Sequence, residues 1–270
     1  MSYEKRQILL IVKAYPEISK RYGNVVCIAG VLEDTNELIR LYPVQLQEIS
    51  RKGLKKFTRF EARITKNRDE KLKRKESYKI QTNSIKVIDD SLTKVEERNV
   101  WEKRVSIIEN LLSSSVEDLE NSFNIDKTSL GIIKPKIDTV SFKTKKPVEE
   151  IEIKIAKSIQ KTLFGDKIIT PDKIEKTFYY EFDCLNENCI HHKKICVDWE
   201  LYEAFRNWRK KYSSEDLFVK LKDKFEIFMK QRNLYFILGT HSQFPSWFII
   251  GLFYPPKFKH KKTINDWLNQ

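Results

Sequence analysis

The chain has very little glycine, seven residues in 270. Loops that cradle phosphate through backbone N–H groups need clustered glycines, and neither a Walker loop nor a dinucleotide fingerprint is present. Phosphate-cradling loops of those classes are therefore nearly excluded. Cysteine is also scarce, with four residues. Three of these cluster with histidines, which argues for a reducing compartment rather than a disulfide scaffold. No apolar run approaches the length of a membrane span. The opening Met1-Ser-Tyr-Glu-Lys-Arg leads into only a few apolar residues, unlike a secretory signal. The expectation is a cytoplasmic protein without a membrane partner.

Positive charge, by contrast, is abundant. Lys and Arg number 51 against 38 Asp and Glu, a formal net charge of +13. The excess is uneven, because residues 51–80 hold 13 basic and four acidic side chains, a local +9. A patch of this kind suits a polyanion, and nucleic acid is the commonest one in a cytoplasm. The candidate binding residues are Lys55, Lys56, Arg59, Lys66, Arg68, Lys71, Lys73, Arg74 and Lys75, with Phe57 and Tyr78 available to stack bases. The competing reading is a lysine-rich surface with no dedicated partner.

Chemistry concentrates in thirteen residues from Cys184 to Cys196, ordered Cys-x4-Cys-x2-His-x3-Cys. Thiolates and imidazole at short spacing suit tetrahedral Zn2+. The expected ligands are Cys184, Cys189, His192 and Cys196. Because Ile195-Cys196-Val197 also reads as a buried apolar step, His241 is an alternative fourth ligand. Cys27, in the run Val25-Val26-Cys27-Ile28-Ala29, reads as core. Asp183, His191, Asp198 and Glu200 flank the same turn and would be the ligands of a metal-dependent nuclease.

The fold class expected is α+β. Residues 1–95 read as five or so short strands, which suggests a small OB-like β-barrel. On that arrangement the basic run from Lys66 to Glu76 joins the last two strands. Residues 96–170 read as a helical connector, with a helix from Val100 to Leu112, Ser115 capping a second, and an amphipathic helix from Val148 to Leu163. Residues 171–270 read as an α+β domain holding the metal site. In that domain Asp198 caps a helix that buries Leu201, Phe205, Trp208 and Tyr212. Ser213 or Ser214 caps the next, which buries Phe218, Leu221, Phe225 and Phe228.

Several phrases carry a resemblance: Val26-Cys-Ile-Ala-Gly-Val31, Ile39-Arg-Leu-Tyr-Pro-Val44, Ser129-Leu-Gly-Ile-Ile-Lys-Pro-Lys136, the Cys184/Cys189/His192 spacing ahead of Asp198-Trp-Glu200, and Gly251-Leu-Phe-Tyr-Pro-Pro256. Together they resemble an uncharacterised prokaryotic family found with mobile elements and defence loci. The first third is also similar to dual OB domains thought to recognise nucleic acid in such systems. The resemblance implies defence-system proteins as further partners and implies no activity. The expected function is nucleic-acid binding with a structural zinc. A metal-dependent nuclease and a scaffold subunit of a defence complex are the alternatives.

Overall fold

The computed structural model describes residues 2–19, 23–68, 74–145, 176–240 and 246–258. Two six-stranded sheets account for most of it. The first comprises β1 (Glu4–Lys13), β2 (Glu17–Ser19), β3 (Gly23–Leu32), β4 (Glu37–Gln45), β5 (Arg59–Lys66) and β6 (Ser77–Asp89). Its order is β1-β5-β6-β4-β3-β2, and β1 also pairs with β3, so five strands return on themselves. The β4–β6 pairing is parallel and its other pairings are antiparallel. A short helix, α1 (Leu46–Arg51), joins β4 to β5.

The apolar run Ile8-Leu-Leu-Ile-Val12 explains how this sheet is placed. Strands with both faces covered read as continuous hydrophobic runs, and all five residues are buried. Ile8 and Leu10 point inward with Val26, Ile28, Leu41, Phe60 and Ile64. Leu9, Ile11 and Val12 point outward, into a second core shared with Ile132, Tyr235, Ile237, Ile250 and Phe253. The register shifts between Leu10 and Val12. Such a bulge lets two consecutive side chains share one face.

The second sheet comprises β7 (Leu130–Ile133), β8 (Ser141–Lys145), β9 (Thr177–Phe182), β10 (His192–Cys196), β11 (Tyr235–Thr240) and β12 (Trp247–Phe253). Its order is β7-β11-β12-β10-β9-β8. Both edge strands come from the stretch expected to be a helical connector, and this corrects that expectation. Helices α2 (Arg98–Glu109) and α3 (Val116–Asp126) are present there. Gly131 and Pro135 read as chain breaks, but Gly131 lies within a fully buried four-residue strand, and Pro135 follows two residues after its end. The helix expected over Val148–Leu163 lies outside the described residues.

Helix starts follow their caps. Ser115 accepts from the Asp118 N–H, and Asp198 from those of Glu200 and Leu201 at the head of α4 (Trp199–Trp208). Ser213 accepts from Asp216 N–H at the head of α5 (Ser214–Lys222). The buried face of α5 differs from expectation. Leu217, Leu221, Phe225 and Met229 are buried, whereas Phe218 is exposed and Phe228 half-buried. A repeat of four residues would drift around an α-helix of 3.6 residues per turn. Here a π-helical turn at Asp223–Ile227, ahead of α6 (Phe228–Lys230), absorbs the difference. Tyr212 is also exposed, because α4 ends at Trp208. Among the described residues no helix is long and apolar enough to cross a membrane.

Polar groups lock the two sheets together. Lys56 Nζ lies 2.7 Å from Asp198 Oδ2, with side-chain exposures of 10% and 0%. Asp198 Oδ2 also accepts from Leu252 N–H at 3.0 Å, while Oδ1 caps α4. Burial alone would lower the Lys56 pKa, but the carboxylates of Asp198 and Glu200 raise it well above the usual lysine range. Buried Arg40 donates to the Ser129 and Thr240 carbonyls at 2.8 and 3.2 Å. Buried Glu76 accepts from Ser129 N–H and from its hydroxyl. At Gly251 a Cβ would lie 2.7 Å from Val12 Cγ2, so glycine sets how closely the sheets approach.

Removing one member of a buried pair leaves the other charge uncompensated, a loss of about 3–5 kcal/mol. Asp198→Ala is expected to destabilise by at least that much, since it also removes a cap. Urea unfolding measures it. A loss below about 1 kcal/mol would show that Lys56 finds water instead.

Candidate metal centre

The loop after β9 and the start of β10 converge on the head of α3. The pairing of Phe182 with His192 sets His192 at the hairpin mouth, and a bridge between Pro135 and Cys184 sets Cys184 beside it. His191 takes a left-handed φ of 60° and its Nδ1 lies 2.7 Å from Asp183 Oδ1, which fastens the loop. Helix α3 sits directly on β7. A Cβ at Gly131 would lie 2.2 Å from Leu119 Cδ2, so any larger residue there would displace the Leu119 side chain. The Ser115 cap then places Glu117 in the first turn, over the loop.

Glu117, Cys184, Cys189 and His192 each present a ligand atom, and these atoms all lie within 4.8 Å of one another. Cys184 Sγ accepts from Val116 N–H at 3.4 Å and Cys189 Sγ from Cys184 N–H at 3.0 Å. Backbone N–H groups aimed at sulfur suit thiolates. Glu117 Oε1 accepts from Ile190 N–H at 3.3 Å and lies 3.0 Å from His192 Nε2. Among the described residues Nε2 nonetheless has no aligned hydrogen-bond partner, and neither does Glu117 Oε2, although both atoms are buried. Buried polar atoms without partners are uncommon. Two thiols, an imidazole nitrogen and a carboxylate are a donor set that zinc accepts. The orphaned atoms therefore fit a cation at the centre of the group.

The titration of these groups reflects burial without a cation. Burial pushes the Cys184 thiol up to about 12 and lowers the His192 imidazole. For Glu117 burial works upward, but backbone N–H groups of its own turn and of Ile190 hold the carboxyl below its usual value. A bound cation would have to displace the thiol protons, so affinity must fall with pH.

Three of the four expected ligands are brought together, and Cys196 is not. It lies four residues along β10 from His192, about 13 Å away at strand rise. There it is fully buried in the core with Phe178 and Leu201. Burial raises its thiol pKa well above the ordinary range. Glu117 takes the fourth position instead. Nothing in the sequence marked it, since a carboxylate in a helix's first turn is ordinary and the cysteines are far away in sequence. His241 lies outside the described residues.

The proposed nuclease carboxylates do not converge. Asp183 and His191 sit beside the Cys/His group, while Asp198 and Glu200 sit at the far end of the β9–β10 hairpin, on the order of 20 Å away. Asp198 is also fully engaged with Lys56, Leu252 and its helix cap.

The basic residues are dispersed as well. Lys56 is the buried partner of Asp198. Arg59 pairs with Glu33 and Asp89 at 2.5 and 2.8 Å. Arg74 donates to the Thr240 carbonyl, and Lys75 pairs with Asp126 at 2.6 Å. Lys66 donates to the Lys75 carbonyl and lies over the Tyr78 ring. Lys55 and Arg68 are exposed, and Lys71 and Lys73 lie outside the described residues. Phe57 is buried against Phe253 and cannot stack a base.

Two family models match. One described as Domain of unknown function (DUF8758) matches residues 4–110, and one described as Domain of unknown function (DUF8757) matches residues 112–269. The boundary falls between α2 and the Ser115 cap. No curated protein matches the chain.

One zinc per chain is expected by elemental analysis. Glu117→Ala and Cys184→Ser should each abolish it, whereas Cys196→Ser should retain it. With two thiols to deprotonate, zinc affinity should fall by up to about a hundredfold per pH unit on acidification below neutrality, as read by competition with a chromogenic chelator. Full zinc occupancy in Glu117→Ala would remove Glu117 from the ligand set.

Proposed function

Since the chain belongs to the Domain of unknown function (DUF8757) family, which matches more than half its length and whose description names no activity, we propose a function from the fold and the site: a nucleic-acid-binding protein stiffened by a structural zinc. The observation that carries the binding half is the closed cycle of pairings β1-β3-β4-β6-β5-β1. It supports an OB-like barrel in which the basic connection between β5 and β6 joins the last two strands, a loop that OB-folds use for oligonucleotides.

The usual OB ligand face, on the second and third barrel strands, is occupied here. Ala29, Val31 and Leu38 pack into the core shared with the second sheet, and Arg40 is buried beneath Ser129 and Thr240. The loop therefore carries the interaction, through Arg68, Lys71 and Lys73. Zinc fits the Glu117, Cys184, Cys189 and His192 group and would tie α3 to the β9–β10 hairpin. The resemblance to proteins of defence loci and mobile elements supports a recognition subunit in such a system, in a cytoplasm.

A protein-scaffold role has one observation in its favour. Leu185 and Ile190, on the metal loop, are 61% and 76% exposed. Exposed apolar side chains grouped on one loop suit a protein partner.

Fluorescence anisotropy against single- and double-stranded DNA and RNA tests the main reading. Arg68, Lys71 and Lys73 replaced by Gln should weaken every sequence alike and flatten the salt dependence by about 0.7–0.9 for each phosphate no longer neutralised. Lys103, Lys210 and Lys211 replaced by Gln remove the same charge elsewhere. Equal weakening in the two triple variants would leave the loop without its role.

A further inference from the structure

The π-helical turn at Asp223–Ile227 is held from both sides. Tyr180 Oη donates to the Phe225 carbonyl at 2.8 Å, and Glu226 Oε2 accepts from Phe142 N–H at 2.8 Å. π-turns are rare, and they occur frequently at functional sites. This one keeps Leu221, Phe225 and Met229 in the core and leaves Lys224, Phe228 and Arg232 as a column outside it.

Lys224 Nζ lies 4.2 Å from the Phe228 ring centroid and 5.5 Å from that of Tyr254. The Arg232 guanidinium lies 4.4 Å from the same Phe228 centroid and donates to the Tyr254 carbonyl at 3.4 Å. One ring thus holds two cations. Among the described residues neither forms an ion pair with a carboxylate. Glu200, the acidic group whose field reaches Lys224, lies 3.4 Å from Lys56. Burial and mutual repulsion depress the Lys224 pKa, as expected for a like-charged pair without a counter-ion.

We infer that Lys224 and Arg232 form a phosphate-binding notch for the backbone of a single-stranded nucleic acid, with Phe228 and Tyr254 as its aromatic rim. Cations interleaved with aromatic rings are the chemistry by which proteins follow a single strand. The inference rests on the nucleic-acid reading above but uses a different face. Arg74 meets Thr240 at the end of β11, whereas Arg232 precedes the start of that strand. A strand held at both places would run along the molecule past the seam between the two sheets.

The test is fluorescence anisotropy with a labelled 20-nucleotide single-stranded DNA, and RNA of the same sequence, over a range of salt. Lys224→Gln/Arg232→Gln should lower the log–log salt slope by about 1.4, two phosphates at about 0.7 each, and weaken binding about tenfold or more at low salt. Lys224→Arg/Arg232→Lys keeps the charges and should bind nearly as the parent does. Lys210→Gln/Lys211→Gln removes equal charge elsewhere and should change the slope little. If the first double variant loses its fold by circular dichroism, Lys224→Gln alone gives half the slope change. Weakening equal to that of the Lys210/Lys211 control would overturn the notch and leave the nucleic-acid reading standing. If the parent protein binds none of the probes at any salt, both fall together.

Discussion

Strand β1 has to serve two cores at once, and the rest of the structure depends on that constraint. Ile8 and Leu10 fill the interior of the first sheet, while Leu9, Ile11 and Val12 form the floor on which the second sheet rests. A strand buried on both faces tolerates no polar side chain in its middle. The same strand closes the pairing cycle of the first sheet through β3 and β5. Closure and docking are thus one requirement. The two halves matched by separate family models share a continuous apolar core, which resembles an obligate interface more than two linked domains.

Charges buried at this seam convert proximity into a fixed arrangement. Apolar packing is non-directional, whereas the Lys56–Asp198 pair fixes one geometry, because each of the Asp198 oxygens already has a second donor. Arg40 and Glu76 act similarly at the opposite end of the seam through Ser129. The proposed zinc adds a further clamp. Helix α3 buries only Val116 and Leu119 among its eleven residues, a small apolar anchor for a helix. Coordination through Glu117 would supply much of what holds it to the hairpin, so metal binding and local folding would be coupled there.

The basic stretch illustrates how far formal charge can mislead. Its local +9 counts Lys56, Arg59, Arg74 and Lys75, each of which has an intramolecular partner. Of the candidate residues in this stretch, Lys55 and Arg68 are exposed, and the proposed notch would add Lys224 and Arg232. Neither Lys224 nor Arg232 stands out in the sequence, where Lys and Arg are spread through every segment.

Local signals were legible where local physics suffices. Ser115, Asp198 and Ser213 are caps, as side-chain oxygens ahead of apolar periodicity indicate. The run Ile8–Val12 is apolar throughout and lies in a buried strand, and the spacing of Cys184, Cys189 and His192 within one hairpin marked a group that could hold a metal ion. What lay beyond reach required knowing which segments meet. Leu130–Ile133 is too short to distinguish a strand from a loop until β11 pairs with it. Cys196 and His192 share a face of β10, yet a strand carries them about 13 Å apart, and Glu117 reaches the site only because α3 crosses Gly131. Phe218 and Leu217 are one residue apart, and the π-turn held by Tyr180 and Glu226 decided which of them faced the core. Chain-local chemistry thus chose the elements, their caps and most of the ligand types. Packing of segments distant in sequence, which no local pattern encodes, placed Glu117 beside the cysteines, set the sheet edges and gave Lys56, Arg59, Arg74 and Lys75 their internal partners.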